Sequence, residues 1–207
     1  MINKNVNILV IGCGSIGQRH AKLLSQRKDT RIFVADPLEE NIKECRKNAE
    51  IEKSFSDYRT ALNEKIDGAF ICTPNNMHVS MALDCLDNGA CVMIEKPAAT
   101  SSDEAKKLLP YDNDPKKRIM IGYMNRFNEQ LQEVKRMIVN GELGNIAYIN
   151  ASVYTYATLL YAKTNYREEQ NWSLIIDYTH EIDFARYLIG EADEVFAMAD
   201  ALGNQKH

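Results

Sequence analysis

A doubly wound α/β domain, with a parallel sheet covered by helices on both faces, is the fold class that the first 122 residues predict. Two observations carry this. Short apolar runs recur between stretches of helical periodicity, and a glycine cluster stands at the first junction of run and helix. A strand buried on both faces reads as a continuous apolar run rather than as an alternation.

The first strand is Val6-Asn7-Ile8-Leu9-Val10-Ile11, ending at Gly12, with a helical pattern over residues 15–26. Residues 31–36 form the second strand; Pro37 closes it and a charged helix runs to about residue 48. Residues 51–55 predict a third strand, with Ser56 or Asp57 capping a short helix. Residues 68–73 are the fourth strand, stopped by Pro74, and a helix follows to about residue 88. Residues 90–94 are the fifth strand, and Ser101-Ser102-Asp103-Glu104 is a helix-start signal. Residues 118–122 complete the set.

Beyond Gly122 the pattern changes. Residues 127–139 are helical until Gly141-Glu142-Leu143-Gly144 breaks them, and residues 146–156 alternate as a half-exposed strand rich in β-branched and aromatic side chains. A helix over 173–189 ends at Gly190, and 194–201 predict another strand. Two strands and two helices in about 85 residues are a thin supply for an independent core. Residues 1–122 are therefore expected to form one domain, and 123–207 a second α/β part too thinly supplied for a core of its own.

Composition narrows the function classes. The chain has 207 residues, 45% hydrophobic and 26% charged, as a soluble globular protein should. Lys plus Arg number 25 against 29 for Asp plus Glu, a net charge of −4, which argues against nucleic-acid binding. The longest apolar runs fall short of the ~20 residues of a membrane span. Met1-Ile2-Asn3-Lys4-Asn5 leads straight into the first strand, so no signal peptide is expected. Five cysteines, odd in number and without a C-x-x-C pair, predict a reduced, cytoplasmic protein with no metal site.

Gly12-Cys13-Gly14-Ser15-Ile16-Gly17 is a G-x-G-x-x-G after a strand and opening a helix. Gly12 permits the tight turn, Gly14 lets backbone approach a pyrophosphate, and Gly17 lets helix and strand pack closely. The helix N-terminus, with Ser15 and Ile16 in its first turn, then offers amides and a positive dipole end to phosphate. Asp36 ends the second strand 19 residues after Gly17, where a carboxylate meets the adenine ribose hydroxyls. Pro37, Leu38, Glu39 and Glu40 follow it, and three carboxylates there would repel a 2′-phosphate. NAD is favoured over NADP, although Arg19 or Lys43 can still swing in.

A second constellation ends the fourth and fifth strands. Thr73-Pro74-Asn75-Asn76-Met77-His78 and Glu95-Lys96-Pro97 both fall at the carboxyl edge of the sheet. Pro97 holds Lys96 extended, so its ammonium is aimed to bind a substrate hydroxyl or help move a proton. By spacing alone, a surface lysine paired with Glu95 fits as well.

Together with Gly122-Tyr123-x-x-Arg126-Phe127, these motifs resemble the Gfo/Idh/MocA family of glucose–fructose oxidoreductase, inositol dehydrogenase and rhizopine-catabolism proteins, from residue 6 to about 200. The resemblance implies a Rossmann domain, a C-terminal α/β domain with a large open sheet, and NAD(P)-dependent oxidation or reduction of a sugar, cyclitol or related carbinol. By position, Lys96 resembles the lysine that contacts substrate and nicotinamide ribose, and Thr73, Pro74, Asn75 and His78 the segment lining the cofactor, beside Glu95. His180, in Asp177-Tyr178-Thr179-His180-Glu181-Ile182-Asp183, resembles the family's acid/base, with Asp177 or Asp183 to orient it. A histidine is also the side chain best suited to exchange a hydroxyl proton near neutral pH.

The resemblance has departures. Asp177 stands three residues before His180 where many members have four, and Asn171-Trp172-Ser173 replaces a glycine pair. Family members also continue beyond residue 207, so the chain is expected to be truncated in the substrate sheet. The alternatives are a non-catalytic NAD-binding module, an inactive fragment of such an enzyme, or another Rossmann reductase acting on an imine or semialdehyde. Family members commonly pair through the open sheet, and Tyr148, Val153, Tyr154 and Tyr156 leave an aromatic surface, so a homo-oligomer is expected.

Overall fold

The computed structural model describes residues 5–112, 119–152 and 179–198. The strands are β1 (Val6–Ile11), β2 (Thr30–Ala35), β3 (Lys53–Phe55), β4 (Gly68–Ile71), β5 (Cys91–Ile94) and β6 (Ile119–Ile121). They form one sheet in the order β3-β2-β1-β4-β5-β6, and every neighbouring pair is parallel. This is the doubly wound order, with its reversal between β1 and β4.

The apolar runs became strands because both of their faces are covered. One core places Leu9, Ile11, Phe33, Ile71, Val92 and Ile94 against the helix α4 (His78–Asp87) with Val79, Ala82 and Leu86. The other sets Ile8, Val10, Ile32 and Val34 against Ala21 of α1 (Ser15–Ser25) and Ile42 and Cys45 of α2 (Glu39–Asn48). Alternate residues of β1 and β2 thus feed opposite cores, as a period of two requires.

Two expected caps are in place. Asp57 accepts from the Arg59 amide to open α3 (Tyr58–Ala61), and Ser101 accepts from the Glu104 amide to open α5 (Ser102–Lys106). A short helix, α6 (Leu109–Asp112), follows. After β6 a 3₁₀ turn, Met124–Phe127, leads to α7 (Glu129–Val139), which Asn128 caps from two backbone amides; the helix thus starts two residues later than its periodicity suggests. Within the expected 173–189 helix, α8 (Thr179–Ile189) is described.

The two expected strands of the second part are not formed among the described residues. Positions 146–152 and 194–198 carry no ladder, and 153–156 and 199–201 lie outside the described residues. Alternation tells which face a segment would bury, but a strand exists only when another supplies its hydrogen bonds.

Candidate functional site

Because all six strands run the same way, the residues that leave them line one edge of the sheet. Backbone hydrogen bonds continue the ladder past the strands and fix the order: the Cys72 amide donates to Ile11 O at 2.8 Å, Glu95 N to Ile71 O at 3.0 Å, and Gly122 N to Ile94 O at 2.8 Å. The glycine turn, Asp36, Thr73 to Asn75, and Glu95 with Lys96 therefore share the edge where open α/β sheets bind ligands.

At the turn, Gly12 has φ +91°, and a Cβ there would lie 2.8 Å from Cys72 O. Gly17 is tighter still, since its Cβ would lie 1.8 Å from Gly12 O. The outer side is open. Gly14, Ser15 and Ile16 are exposed, and no described atom comes within 4 Å of the Cβ position of Gly14. Gly14 supplies no side-chain cap, so among the described residues none caps the first-turn amides of α1, which point outward as an anion needs.

Asp36 is 6% exposed and ties this turn to the next helix. Its Oδ2 accepts from the Cys13 amide at 2.7 Å, and its Oδ1 from the Leu38 amide at 2.8 Å. The Asn41 side-chain amide donates to both oxygens, at 3.1 and 3.2 Å. Neither Asn41 nor this sharing is legible in motif spacing.

Beyond β4, Asn75 is buried, and its Nδ2 lacks a hydrogen-bond partner among the described residues. A donor left in this state at a ligand edge is a binding group in waiting. His78 has a different task from lining the cleft. It is fully buried, with Nδ1 2.8 Å from Pro97 O and Nε2 2.8 Å from Thr73 O. It staples the Thr73 segment to the loop that carries Lys96. His78→Ala should remove the ring that bridges the two segments, with the one N–H bond it donates, and open a cavity, lowering stability by about 2–4 kcal/mol. An unchanged urea midpoint would show that the staple carries no weight.

Glu95 and Lys96 are half-buried at the end of β5, and the Lys96–Pro97 peptide is cis. Glu95 Oε1 lies 2.8 Å from His20 Nε2 of α1, and its Oε2 accepts from the Lys96 amide at 3.3 Å. Burial pushes the Glu95 carboxyl up, but the His20 hydrogen bond and charge, with the Lys96 amide and ammonium, outweigh it and hold it below the usual carboxylate range. A Cβ on Gly122 would stand 3.3 Å from this carboxylate, so glycine there leaves it room. His20 lies outside the sequence motifs. Its place in the buried stripe with Gly17 and Ala21 was the available signal.

His180 opens α8, with its ring edge-on to Tyr123 at 6.0 Å and its Nδ1 buried without a partner among the described residues. The helix is fixed by Asp183, 3% exposed, which takes Arg126 Nε at 2.8 and 3.1 Å and Nη2 at 2.6 Å. A carboxylate buried this deeply needs such a partner. Asp183 is therefore committed to Arg126 rather than to orienting His180, and Asp177 lies outside the described residues. Beside His180 is an open cleft of about 460 Å³ whose lining includes Asn125, Asn128, Gln130 and Ser152. Among the described residues no cluster of three or more His, Cys, Asp or Glu could hold a metal ion.

Residues 6–123 match the oxidoreductase family with an NAD-binding Rossmann fold, GFO_IDH_MocA, and residues 131–207 match the GFO/IDH/MocA C-terminal domain. In Bacillus subtilis (strain 168), the protein named uncharacterized oxidoreductase YrbE is 29% identical over 209 residues, covering 98% of this chain and 60% of its own length. The scyllo-inositol 2-dehydrogenase (NAD(+)) of the same organism is 29% identical over 189 residues, covering 89% of this chain and 54% of its own length. Among solved structures, myo-inositol 2-dehydrogenase from Lactobacillus plantarum superposes with a TM-score of 0.78 at 22% identity, over 90% of this chain and 57% of that one. The chain thus spans little more than half the length of the relatives it matches.

Proposed function

Because this chain belongs to the GFO/IDH/MocA oxidoreductase family, we propose that it serves an NAD-dependent oxidoreductase acting on a carbinol of a sugar, a cyclitol or a related metabolite. The observation that carries the proposal is the open glycine turn beside Asp36 at the switch point of the sheet. The buried, unpartnered Asn75 Nδ2 fits a dinucleotide on the same edge. Inositol dehydrogenases among the relatives support a polyol substrate.

On this reading residues 1–122 hold the cofactor, and 123–207 belong to the substrate side. The α1 amides and Gly14 take the pyrophosphate, Asp36 the adenine ribose, and the edge from Thr73 to Lys96 the nicotinamide half. When bound, the nicotinamide supplies the hydride acceptor or donor. Lys96 binds the reacting hydroxyl, and His180 removes or returns its proton. Tyr123 and the Arg126–Asp183 pair hold the His180 helix to the end of β6. Amide side chains in the cleft beside His180 suit a hydroxyl-rich ligand.

All five cysteines are free thiols, which fits a reducing compartment such as the cytoplasm. No helix among the described residues is long and apolar enough to cross a membrane. Exposed Tyr148, Val195, Phe196 and Met198 fit self-association.

Calorimetric titration tests the cofactor. NADH should bind more tightly than NADPH, because Asp36 is read as the ribose ligand and the exposed carboxylates Glu39 and Glu40 follow it in the chain. Asp36→Ala should weaken NADH about tenfold, on the scale of a hydrogen bond to a charged group. Equal affinities for the two dinucleotides would remove the reading's electrostatic basis.

A further inference from the structure

We propose that Asn41 gates the adenine-ribose site: in the free protein its side-chain amide occupies the acceptor positions on Asp36 that the ribose diol must take. The inference rests on the reading of Asp36 as the ribose ligand and deepens it.

A carboxylate offers about four lone-pair directions. On Asp36 all four are taken: the Cys13 amide at 2.7 Å and Asn41 Nδ2 at 3.2 Å meet Oδ2, and the Leu38 amide at 2.8 Å and the same Nδ2 at 3.1 Å meet Oδ1. The two amide bonds come from backbone. Cys13 is locked in the glycine turn, whose Gly12 amide donates to Ala35 O, and Leu38 leads into α2. Neither can withdraw without undoing the turn or the start of the helix.

The Asn41 bonds are the longer ones, and they share one nitrogen. They come from a half-buried side chain free to rotate about two bonds. With Asp36 nearly enclosed, a ribose hydroxyl can reach its carboxylate only where Asn41 lies. Entry of the ribose is therefore rotation of Asn41. The displaced amide is neutral, so it gives a 2′-phosphate no cation. Asn41 thus sets how tightly the ribose diol is held, while Asp36 decides which dinucleotide is taken.

The expectation has a sign. Dinucleotide binding carries the cost of breaking the Asn41–Asp36 bonds, so Asn41→Ala should tighten NADH by about threefold to tenfold. ADP-ribose, which has the adenine ribose without nicotinamide, should gain equally. Nicotinamide mononucleotide, which lacks that ribose, should not change. In a ¹⁵N-labelled wild-type chain, the side-chain amide pair that disappears in Asn41→Ala should shift when ADP-ribose is added. If NADH binds the wild type but Asn41→Ala leaves its affinity unchanged or lowers it, the gate is overturned and the dinucleotide reading stands. If the folded wild type binds neither NADH nor ADP-ribose, both fall.

Discussion

Gly17→Ala should lower the stability of the fold and weaken NADH binding by roughly 10²-fold or more. The new methyl would stand 1.8 Å from Gly12 O, well inside van der Waals contact, and the obstacle is backbone rather than a flexible side chain. Gly12 has nowhere to go, because its own Cβ position already abuts Cys72 O. The first turn of α1 must therefore lift off the sheet. Overpacking of this kind costs typically 1–3 kcal/mol, and the displaced amides lose their aim at the phosphates.

Gly14→Ala is the contrasting variant. Its methyl meets no described atom within 4 Å, so stability should hold while NADH binding falls, because the added atom enters the space where backbone approaches the pyrophosphate. Thermal unfolding and calorimetry on the two variants separate the effects. Normal NADH affinity in Gly14→Ala would mean that no dinucleotide crosses this turn.

The Rossmann half was legible because its local and global signals agree. Strands β1, β2 and β4 are apolar runs because they feed both cores, and Asp57 and Ser101 start their helices by capping as their residue types require. The glycine turn could be placed from sequence because its demands fall on consecutive residues. What escaped depends on partners far along the chain. His20 meets Glu95 across 75 positions, and Arg126 meets Asp183 across 57. No periodicity encodes such pairs. His78 looked like a cleft residue from its place after the Thr-Pro-Asn segment, and only the fold reveals that both its nitrogens face backbone carbonyls inside. Residues 146–152 failed differently: their alternation is real, but none of the described strands lies beside them.

On the proposed reading, in a chain extended to complete the substrate sheet, Lys96→Ala and His180→Ala should each lower kcat for NAD-dependent oxidation of a sugar or cyclitol by roughly 10²–10⁴, the usual worth of a positioned acid or base, with NADH affinity nearly unchanged. The two residues stand on separate supports. Lys96 leaves β5 on a loop held by the His78 staple and by Glu95, whose carboxylate His20 fixes. His180 sits on α8, which Arg126 and Asp183 clamp to the turn after β6. His180→Asn keeps a polar side chain of similar reach but cannot exchange a proton, so it should fall with His180→Ala. Lys96→Arg keeps the charge but replaces a compact ammonium by a planar fork, so it should recover binding of the polyol more than its turnover. Steady-state NADH formation with each variant, paired with calorimetric NADH affinity, gives both quantities. Full turnover in His180→Asn would move the proton transfer to another group and leave His180 as packing against Tyr123.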